Sequence, residues 1–223
     1  MKSSYYKYFA ALLLFGSNGI VASNINLPSY EIVLLRLLLG SLFLITVFTV
    51  SRQRFTFYRN KHTCLYLFIS ASAMGASWML LYEAYQQVGI SIASLAYYCG
   101  PVIVMILSPF LFRETLTWPK IAGFLTVLAG MCLVNLQALD EGKTIWGLFC
   151  GLMSAFMYAL MVTANKKAKP ESGLENSLLQ LVIGSFIVVA FVSMQKNFVL
   201  SLTTIDWIPV LLLGLLNTGI GWL

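Results

Sequence analysis

Long apolar runs recur along the whole chain, and each is long enough to cross a lipid bilayer. A transmembrane helix needs about 20 consecutive and mostly apolar residues. The runs do not alternate between apolar and polar residues, as the strands of a membrane β-barrel do. We identify eight of them, at residues 5–23, 31–50, 64–86, 91–112, 119–136, 145–163, 176–194 and 207–223. Together they leave no room for a soluble domain, so we predict an all-α integral membrane protein, a polytopic helical bundle.

The composition agrees with this fold class and argues against catalysis. Only 10% of the 223 residues are charged, against about 25% in a soluble protein. The sequence holds no Ser-His-Asp set, no glycine-rich phosphate loop and no HExxH motif. Its four cysteines form no CxxC pair, and His62 is the single histidine. We therefore expect no metal ion, no cofactor and no enzymatic activity, and we exclude an ATP-driven pump that consists of this chain alone.

The distribution of basic residues predicts the orientation in the membrane. The net charge is +6, and 11 of the 14 Lys and Arg residues fall at the N-terminus or in alternate loops. These are Lys2, Lys7, Arg52, Arg54, Arg59, Lys61, Arg113, Lys120, Lys166, Lys167 and Lys169. Cytoplasmic loops are enriched in such residues. We expect a multi-pass protein of the cell membrane with a cytoplasmic N-terminus, whose partner is the lipid bilayer and not nucleic acid.

A weak internal similarity links the third and the eighth spans. The third contains GASWML and the eighth GIGWL, and aligning Trp78 with Trp222 also aligns Gly75 with Gly219. A unit of five spans has its two ends on opposite sides of the membrane, so a second unit would be inserted upside down, as in inverted-repeat transporters. The alignment thus predicts two inverted units.

The two predicted units cover residues 1–138 and 139–223. In the first unit about 58 residues follow Trp78, up to about Leu136, whereas a single residue follows Trp222. We therefore expect the second repeat to be incomplete, with about eight transmembrane helices of an expected ten.

The run GISIASLAYYCGPVIVMILSPFLFRETLTWPKIAGFLTVLAGMCLV, residues 89–134, resembles the EamA-like family of the drug/metabolite transporter superfamily. The resemblance lies in the small residues at its start, in Pro101, in the pair Arg113 and Glu114, and in the glycine-spaced helix that follows. The stretches EIVLLRLLLG, which contains Arg36, and GLFCGLMSAFMYAL are also similar to the family.

The resemblance implies ten helices in two inverted five-helix repeats around a central substrate cavity. It also implies export of amino acids or other small metabolites. We expect a secondary transporter that works by alternating access, with proton coupling as one option. A small-molecule substrate is the expected partner, and a homodimer is a further candidate. The alternative is a truncated fragment that does not transport, or a subunit whose cavity another chain completes.

Glu83 is a carboxylate within an apolar span, where charges cost about 2.5–3.5 kcal/mol at the helix centre. It shares a helix face with Met79, Gln86 and Gln87, because residues three and four apart are neighbours. One hypothesis places Glu83 at the mouth of a cavity, where it binds a substrate ammonium group or a proton. The alternatives are an ion pair with Arg36 and a carboxylate wetted by lipid headgroups.

Other polar and aromatic residues of the spans are further candidates for the cavity. Pro101 removes a backbone donor, which predicts a kink in the fourth span, and Tyr97 and Tyr98 next to it suit apolar, aromatic or cationic solutes. Each could also be a packing residue, and each polar residue could hydrogen-bond a neighbouring helix. The candidate substrate-binding residues are Asn18, Trp78, Tyr82, Glu83, Tyr97, Tyr98, Tyr158 and Asn217.

One stripe of small residues predicts helix packing and not a site. Gly147, Gly151, Ala155 and Ala159 recur at every fourth position of the sixth span, a spacing that lets two membrane helices approach closely.

Overall fold

The protein is a bundle of helices in a computed structural model that describes residues 13–14, 16–113, 115, 117–135, 145–168, 172–194 and 207–222. All regular secondary structure in these ranges is helical. The helices are α1 (residues 16–23), α2 (Ser29–Val50), α3 (Lys61–Val88), α4 (Ile90–Tyr97), α5 (Cys99–Phe112), α6 (Trp118–Asn135), α7 (Ile145–Ala168), α8 (Gly173–Ser193) and α9 (Trp207–Leu211). A short 3₁₀ turn, Phe57–Arg59, precedes α3, and a π-helix, Leu212–Ile220, continues α9.

Five helical segments are long and apolar enough to cross a membrane. They are α2, α3, the pair α4 and α5 taken together, α7 and α8, and they correspond to the predicted second, third, fourth, sixth and seventh spans. The fifth span forms α6, and the eighth forms α9 with the π-helix. Only the second half of the first span falls within the described residues. The prediction of a polytopic helical membrane protein is thereby confirmed.

Local chemistry sets the helix boundaries. The side chain of Asn60 accepts a hydrogen bond from the backbone N–H of His62 and so caps the start of α3, as N-cap residues do. Helix α3 ends at Gly89, where φ is 79°, a conformation that glycine adopts without steric cost. The next helix begins at once, so the link between the third and fourth spans is a single residue.

The fourth span is interrupted near Pro101, as predicted. Helix α4 ends at Tyr97 and α5 begins at Cys99, with Tyr98 as a turn between them. Because Pro101 has no N–H, the carbonyl of Tyr97 lacks its usual helical donor. The break therefore falls one turn before the proline and next to the two candidate tyrosines.

Small residues bring α7 close to α3, α4 and α5. A Cβ atom at Gly100 would lie 2.7 Å from Cδ1 of Tyr158 and 3.1 Å from the carbonyl oxygen of Ala155, so a larger residue would force the Tyr158 ring to move. Ser77 and Ser154 donate hydrogen bonds to each other's backbone carbonyl, at 2.9 and 2.8 Å. The predicted small-residue stripe of α7 is buried throughout, at Gly147, Gly151, Ala155 and Ala159. Its prediction as a packing surface is confirmed.

The last described segment is a π-helix, where the apolar run predicted an ordinary α-helix. Within it, the hydroxyl of Thr218 donates to the carbonyl oxygen of Leu213, five residues back, at 2.8 Å. Gly214 and Gly219 pack against side chains of α2, where a Cβ atom would lie 2.6 Å from Leu39 and 2.7 Å from Phe43. The wider turn thus lies against α2 at glycine positions, and π-helical segments occur often at functional sites.

Most of the predicted basic loops meet at one end of the bundle, which we call the basic end. There the carboxylate of Glu175, at the start of α8, accepts hydrogen bonds from the backbone N–H of Phe57 at 2.9 Å and from both the N–H and the hydroxyl of Thr56. The hydroxyl of Thr63 donates to the carbonyl oxygen of Ala168 at 3.0 Å. These bonds join the α2–α3 link to the ends of α7 and α8. Lys2, Lys7 and Lys169 lie outside the described residues.

Candidate functional site

A cavity of about 440 Å³, which we call the central cavity, lies between α1, α2, α3, α4, α5, α7 and the end of the π-helix. Six of the eight candidate residues line it: Asn18, Trp78, Tyr82, Tyr97, Tyr98 and Tyr158. Pro101 also lines it, because the break between α4 and α5 faces this space. The tertiary structure thus brings together residues that lie up to 140 positions apart in the sequence. Substrate binding by these residues stays a prediction.

Glu83 lies away from the central cavity and does not line it. Its carboxylate accepts hydrogen bonds from the hydroxyl of Ser29 at 2.7 Å and from the amide of Gln87 at 3.0 Å. The neighbouring Gln86 donates to the backbone carbonyl of Leu27 at 2.8 Å. Glu83 therefore joins α3 to the start of α2, at the end of the bundle opposite the basic end.

Asn217 also lies outside the lining of the central cavity. Its amide donates to the backbone carbonyl of Leu14 at 2.7 Å and to the hydroxyl of Ser17 at 2.9 Å. This is the interhelical hydrogen bonding that the sequence left open as its alternative. The asparagine joins the π-helix to the residues of the first span.

Arg36 is the charged residue of the central cavity, and it is not paired with Glu83. It is 2% exposed. Its Nε donates to the hydroxyl of Thr218 at 3.1 Å and its Nη1 to the hydroxyl of Tyr82 at 2.6 Å. Its Cζ lies 3.9 Å from the ring centroid of Trp78, a contact worth about 2 kcal/mol or more when it is desolvated. The hypothesis of an Arg36–Glu83 ion pair is therefore wrong, because Arg36 is hydrogen-bonded to Thr218 and Tyr82 whereas Glu83 is hydrogen-bonded to Ser29 and Gln87.

Three side chains hold the guanidinium of Arg36 in place, but one of its nitrogens is unused. Within the described part of the chain, Nη2 of Arg36 is buried and has no hydrogen-bond partner. A buried unsatisfied donor on a charged group is costly. Arg36 lines the central cavity, so this enclosed donor lies within the cavity wall.

Two further polar atoms of the cavity wall are buried without a partner among the described residues. They are Oδ1 of Asn18, an acceptor, and Nε1 of Trp222, a donor. The Trp222 ring meets the Trp78 ring edge to face, with centroids 5.9 Å apart and planes at 77°. Trp222 therefore lies on the same wall as Arg36. Sequence reasoning used Trp222 only for the repeat alignment and missed this place in the site.

The remaining wall of the central cavity is aromatic. The ring centroids of Tyr97 and Tyr158 are 5.3 Å apart, and those of Tyr97 and Tyr98 are 6.1 Å apart, both pairs meeting near edge to face. Among the described residues that line the cavity, Arg36 alone is charged. The arrangement can bind a solute with an apolar or aromatic body, and it places a positive charge on one wall.

A second and wider cavity, about 760 Å³, lies at the end opposite the basic end, and we call it the vestibule. Its walls are the end of α1, the α1–α2 link, the start of α2, and the junction of α3 and α4 around Gly89. Tyr82, Tyr85 and Ile90 line both the vestibule and the central cavity. These three side chains therefore border both spaces.

The described side chains form no metal centre, since no three His, Cys, Asp or Glu residues lie together as ligands would. Among the described residues, Cys64, Cys99 and Cys150 are not joined by disulfide bonds. Cys150 is buried in the contact between α7 and α3. It acts there as a small packing residue.

Comparison with known proteins identifies the family. The EamA-like transporter family matches residues 3–136. An uncharacterized transporter of Bacillus subtilis (strain 168), YxxF, is 26% identical over 224 aligned residues, which cover 97% of this chain and 70% of the relative. A solved crystal structure of a protein with 18% identity has the same fold, with a TM-score of 0.74 over 100% of this chain and 77% of the other. The chain therefore belongs to the EamA-like transporter family, whose members are polytopic helical membrane proteins.

Proposed function

We propose that this protein is a secondary transporter that exports a small organic solute through the central cavity by alternating access. The observation that carries the proposal is the cavity itself. It lies between helices of both predicted units, and its lining combines a helix break at Pro101, an aromatic wall and a buried charge. Broken helices at membrane depth are where transporters of this kind bind their substrates. Since the sequence holds no nucleotide-binding motif, an ion gradient would supply the energy.

The two ends of the bundle differ in a way that supports alternating access. At one end the vestibule reaches the side chains that border the central cavity. At the basic end, Glu175 and its bonds to Thr56 and Phe57 hold the helices together. With the basic end in the cytoplasm, the structure would correspond to an outward-facing state. The inward-facing state would require these bonds at the basic end to open.

The contact between Trp78 and Trp222 supports the proposed inverted repeat of residues 1–138 and 139–223. The sequence alignment pairs these two residues, and their rings meet at a centroid distance of 5.9 Å. Equivalent residues of two inverted units contact each other only where they lie near the axis that relates the units. The central cavity would then lie on that axis. Rocking of one unit against the other would change the side of the membrane to which the cavity opens.

Glu83 is the candidate for proton coupling. Its carboxylate lies at the vestibule end and bonds to Ser29 on α2 and Gln87 on α3. A carboxylate that joins two helices in one state and takes a proton in another can link protonation to helix movement. Intramembrane ionisable residues mark proton pathways in many transporters.

The test uses purified protein in proteoliposomes with an imposed pH gradient. Labelled amino acids and aromatic metabolites are screened for gradient-driven flux in both orientations of the protein, which also determines the direction. We expect Glu83→Gln to abolish solute-dependent proton flux. Glu31→Gln is the matched control, because Glu31 is also a buried carboxylate of the vestibule end.

Two results would contradict the proposal. A protein that folds but moves no solute under any gradient would favour a membrane component without transport activity. Unchanged proton flux in the Glu83→Gln variant, with intact solute transport, would leave the carboxylate with only its structural role at the junction of α2 and α3.

A further inference from the structure

We propose that the central cavity binds the carboxylate group of an organic monoanion, with Nη2 of Arg36 and Nε1 of Trp222 as its donors. The solute would carry an apolar or aromatic body that lies against the tyrosine wall. The inference deepens the proposed transport function, and it rests on that function for the movement of the solute across the membrane. It also reverses the sign of the solute charge that the position of Glu83 in the sequence suggested.

The charge of the cavity wall is the first argument. Arg36 is the charged residue of the lining within the described ranges, and it faces no carboxylate there. Glu83 is bonded to Ser29 and Gln87 instead. A buried charge without a counter-charge is strongly disfavoured in apolar surroundings. An anionic solute supplies the missing counter-charge, whereas a cationic solute would be repelled.

The geometry of the guanidinium is the second argument. Nε and Nη1 are held by Thr218 and Tyr82, and the group stacks on the Trp78 ring. These contacts set the plane of the guanidinium and leave Nη2 as its unused donor. Such a preorganised donor loses little conformational freedom when it binds. A carboxylate oxygen accepts charge-assisted hydrogen bonds of this kind.

Trp222 provides an independent observation on the same wall. Its ring meets the Trp78 ring, on which Arg36 is stacked. Its indole N–H is buried and unpartnered within the described residues. Because an ionised carboxylate has two oxygens and about four acceptor sites, one group can accept from both Arg36 and Trp222.

The single positive charge argues for a monoanion and against a phosphate dianion. A dianion opposite Arg36 would leave a net negative charge within an apolar cavity, with no second cation in the described lining. The volume of about 440 Å³ lies within the range of small-molecule sites. The aromatic rings of Tyr97, Tyr98 and Tyr158 then select an apolar or aromatic body.

The experiment measures binding to the protein in lipid nanodiscs by titration calorimetry. The probes share one body and differ in charge: phenylacetate, phenethylamine and phenyl phosphate. We expect phenylacetate to bind, and the other two to bind at least about tenfold more weakly, because each lacks the matching charge. Arg36→Gln should weaken phenylacetate binding at least about tenfold. Arg36→Lys should retain part of the affinity, and Arg54→Gln, in an exposed loop, should retain all of it.

A second variant keeps the test decisive if Arg36→Gln does not fold, as judged by gel filtration. Trp222→Phe keeps an aromatic ring and removes only the indole donor, so we expect it to weaken phenylacetate binding about threefold to tenfold. The inference is overturned if phenylacetate does not bind, if phenethylamine binds as tightly, or if neither Trp222→Phe nor Arg36→Lys changes the affinity.

The outcome for transport is separate and is read from the proteoliposome assay. If phenylacetate binds through Arg36 but no solute crosses the membrane, the binding site stands and the transport proposal fails. If a cationic solute is transported and the Arg36 variants leave its flux unchanged, transport stands and the carboxylate site fails.

Discussion

The Cζ atom of Arg36 lies 3.9 Å from the centroid of the Trp78 ring. This stacking, together with hydrogen bonds to the hydroxyls of Tyr82 and Thr218, holds a cation inside the bundle without a protein carboxylate among the described residues. The face of an aromatic ring attracts a cation through its quadrupole and leaves the charge itself uncompensated. Arg36 is therefore held in position and still able to attract an anion.

The Trp78 ring should contribute measurably to stability through this contact. We expect Trp78→Leu to lower the free energy of unfolding by about 1–3 kcal/mol, through the lost cation–π contact and the lost ring packing. Trp78→Phe should cost less, because it retains a smaller aromatic face. The measurement is SDS-induced unfolding in mixed micelles. Trp146→Leu is the control, since Trp146 is exposed on α7, and an equal loss in that variant would contradict the assignment.

Glu175 should determine how firmly the basic end is closed. Its carboxylate is buried and accepts from Thr56 and Phe57, and hydrogen bonds to charged groups contribute about 1.5–3 kcal/mol each. We expect Glu175→Gln to lower stability by about 2–3 kcal/mol, because the neutral amide is a weaker acceptor. It should also speed hydrogen exchange at the two backbone amides.

Hydrogen exchange with mass-spectrometric detection over residues 53–60 checks this prediction. Glu31→Gln serves as the control, because it removes a buried carboxylate at the other end of α2. Unchanged exchange at Thr56 and Phe57 in the Glu175→Gln variant would show that these bonds do not hold the basic end closed.

Gly40 should be required for the close contact between α2 and the π-helix. A Cβ atom there would lie 2.6 Å from Cγ2 of Thr218, so Gly40→Ala must displace Thr218. The hydroxyl of Thr218 accepts the hydrogen bond from Nε of Arg36. We expect a loss of about 1–3 kcal/mol, the usual cost of overpacking. Gly123→Ala on α6 is the matched control, because nothing lies within 4 Å of its added Cβ, and it should be neutral or stabilising. Equal effects of the two variants would contradict the proposed contact.

The reciprocal hydrogen bonds of Ser77 and Ser154 should couple α3 to α7. Each bond runs from a hydroxyl to the backbone carbonyl of the other residue, so Ser77→Ala and Ser154→Ala each remove one of the two. Individual hydrogen bonds between membrane helices contribute about 0.6 kcal/mol on average and up to about 1.7, so we expect each variant to lower the free energy of unfolding by about 0.6–1.7 kcal/mol, measured by SDS-induced unfolding. Ser72→Ala, whose hydroxyl bonds within its own helix, is the control, and an equal loss in that variant would contradict the role of the serine pair.

Local features of the sequence were sufficient to predict the helices and their breaks. Pro101 predicted the interruption between α4 and α5. A proline lacks the backbone N–H and weakens the helix at its own position, whatever the helix packs against. The stripe around Gly151 and Ala155 predicted the packing of α7 for a similar reason, since small residues permit close approach. The π-helix was not predicted, because the hydroxyl bond of Thr218 to Leu213 and the packing on α2 depend on the folded bundle.

The candidate site was predicted only in part. The aromatic candidates, Tyr97, Tyr98 and Tyr158 among them, line one cavity, and Tyr97 and Tyr98 lie at the helix break that Pro101 predicted. The sequence predicted Glu83 as the charged residue of the cavity, whereas in the structure Arg36 lines the cavity and Glu83 does not. The sequence places Glu83 and Arg36 at similar distances from the ends of their predicted spans. In the structure each is hydrogen-bonded to a neutral side chain on another helix, Glu83 to Ser29 and Arg36 to Tyr82. Trp222 became part of the site only through its contact with Trp78.

The sequence by itself determined that the chain crosses a membrane several times, and it placed the helix ends and the basic loops. These properties depend on the transfer of each residue into lipid, which is a local quantity. Only the tertiary structure decided which polar groups meet. Lipid is as apolar as the protein interior, so hydrophobicity does not determine how each helix is rotated about its axis. That rotation, which the packing of α2 against α3 and the π-helix determines, brings Arg36 to the cavity and leaves Glu83 outside it.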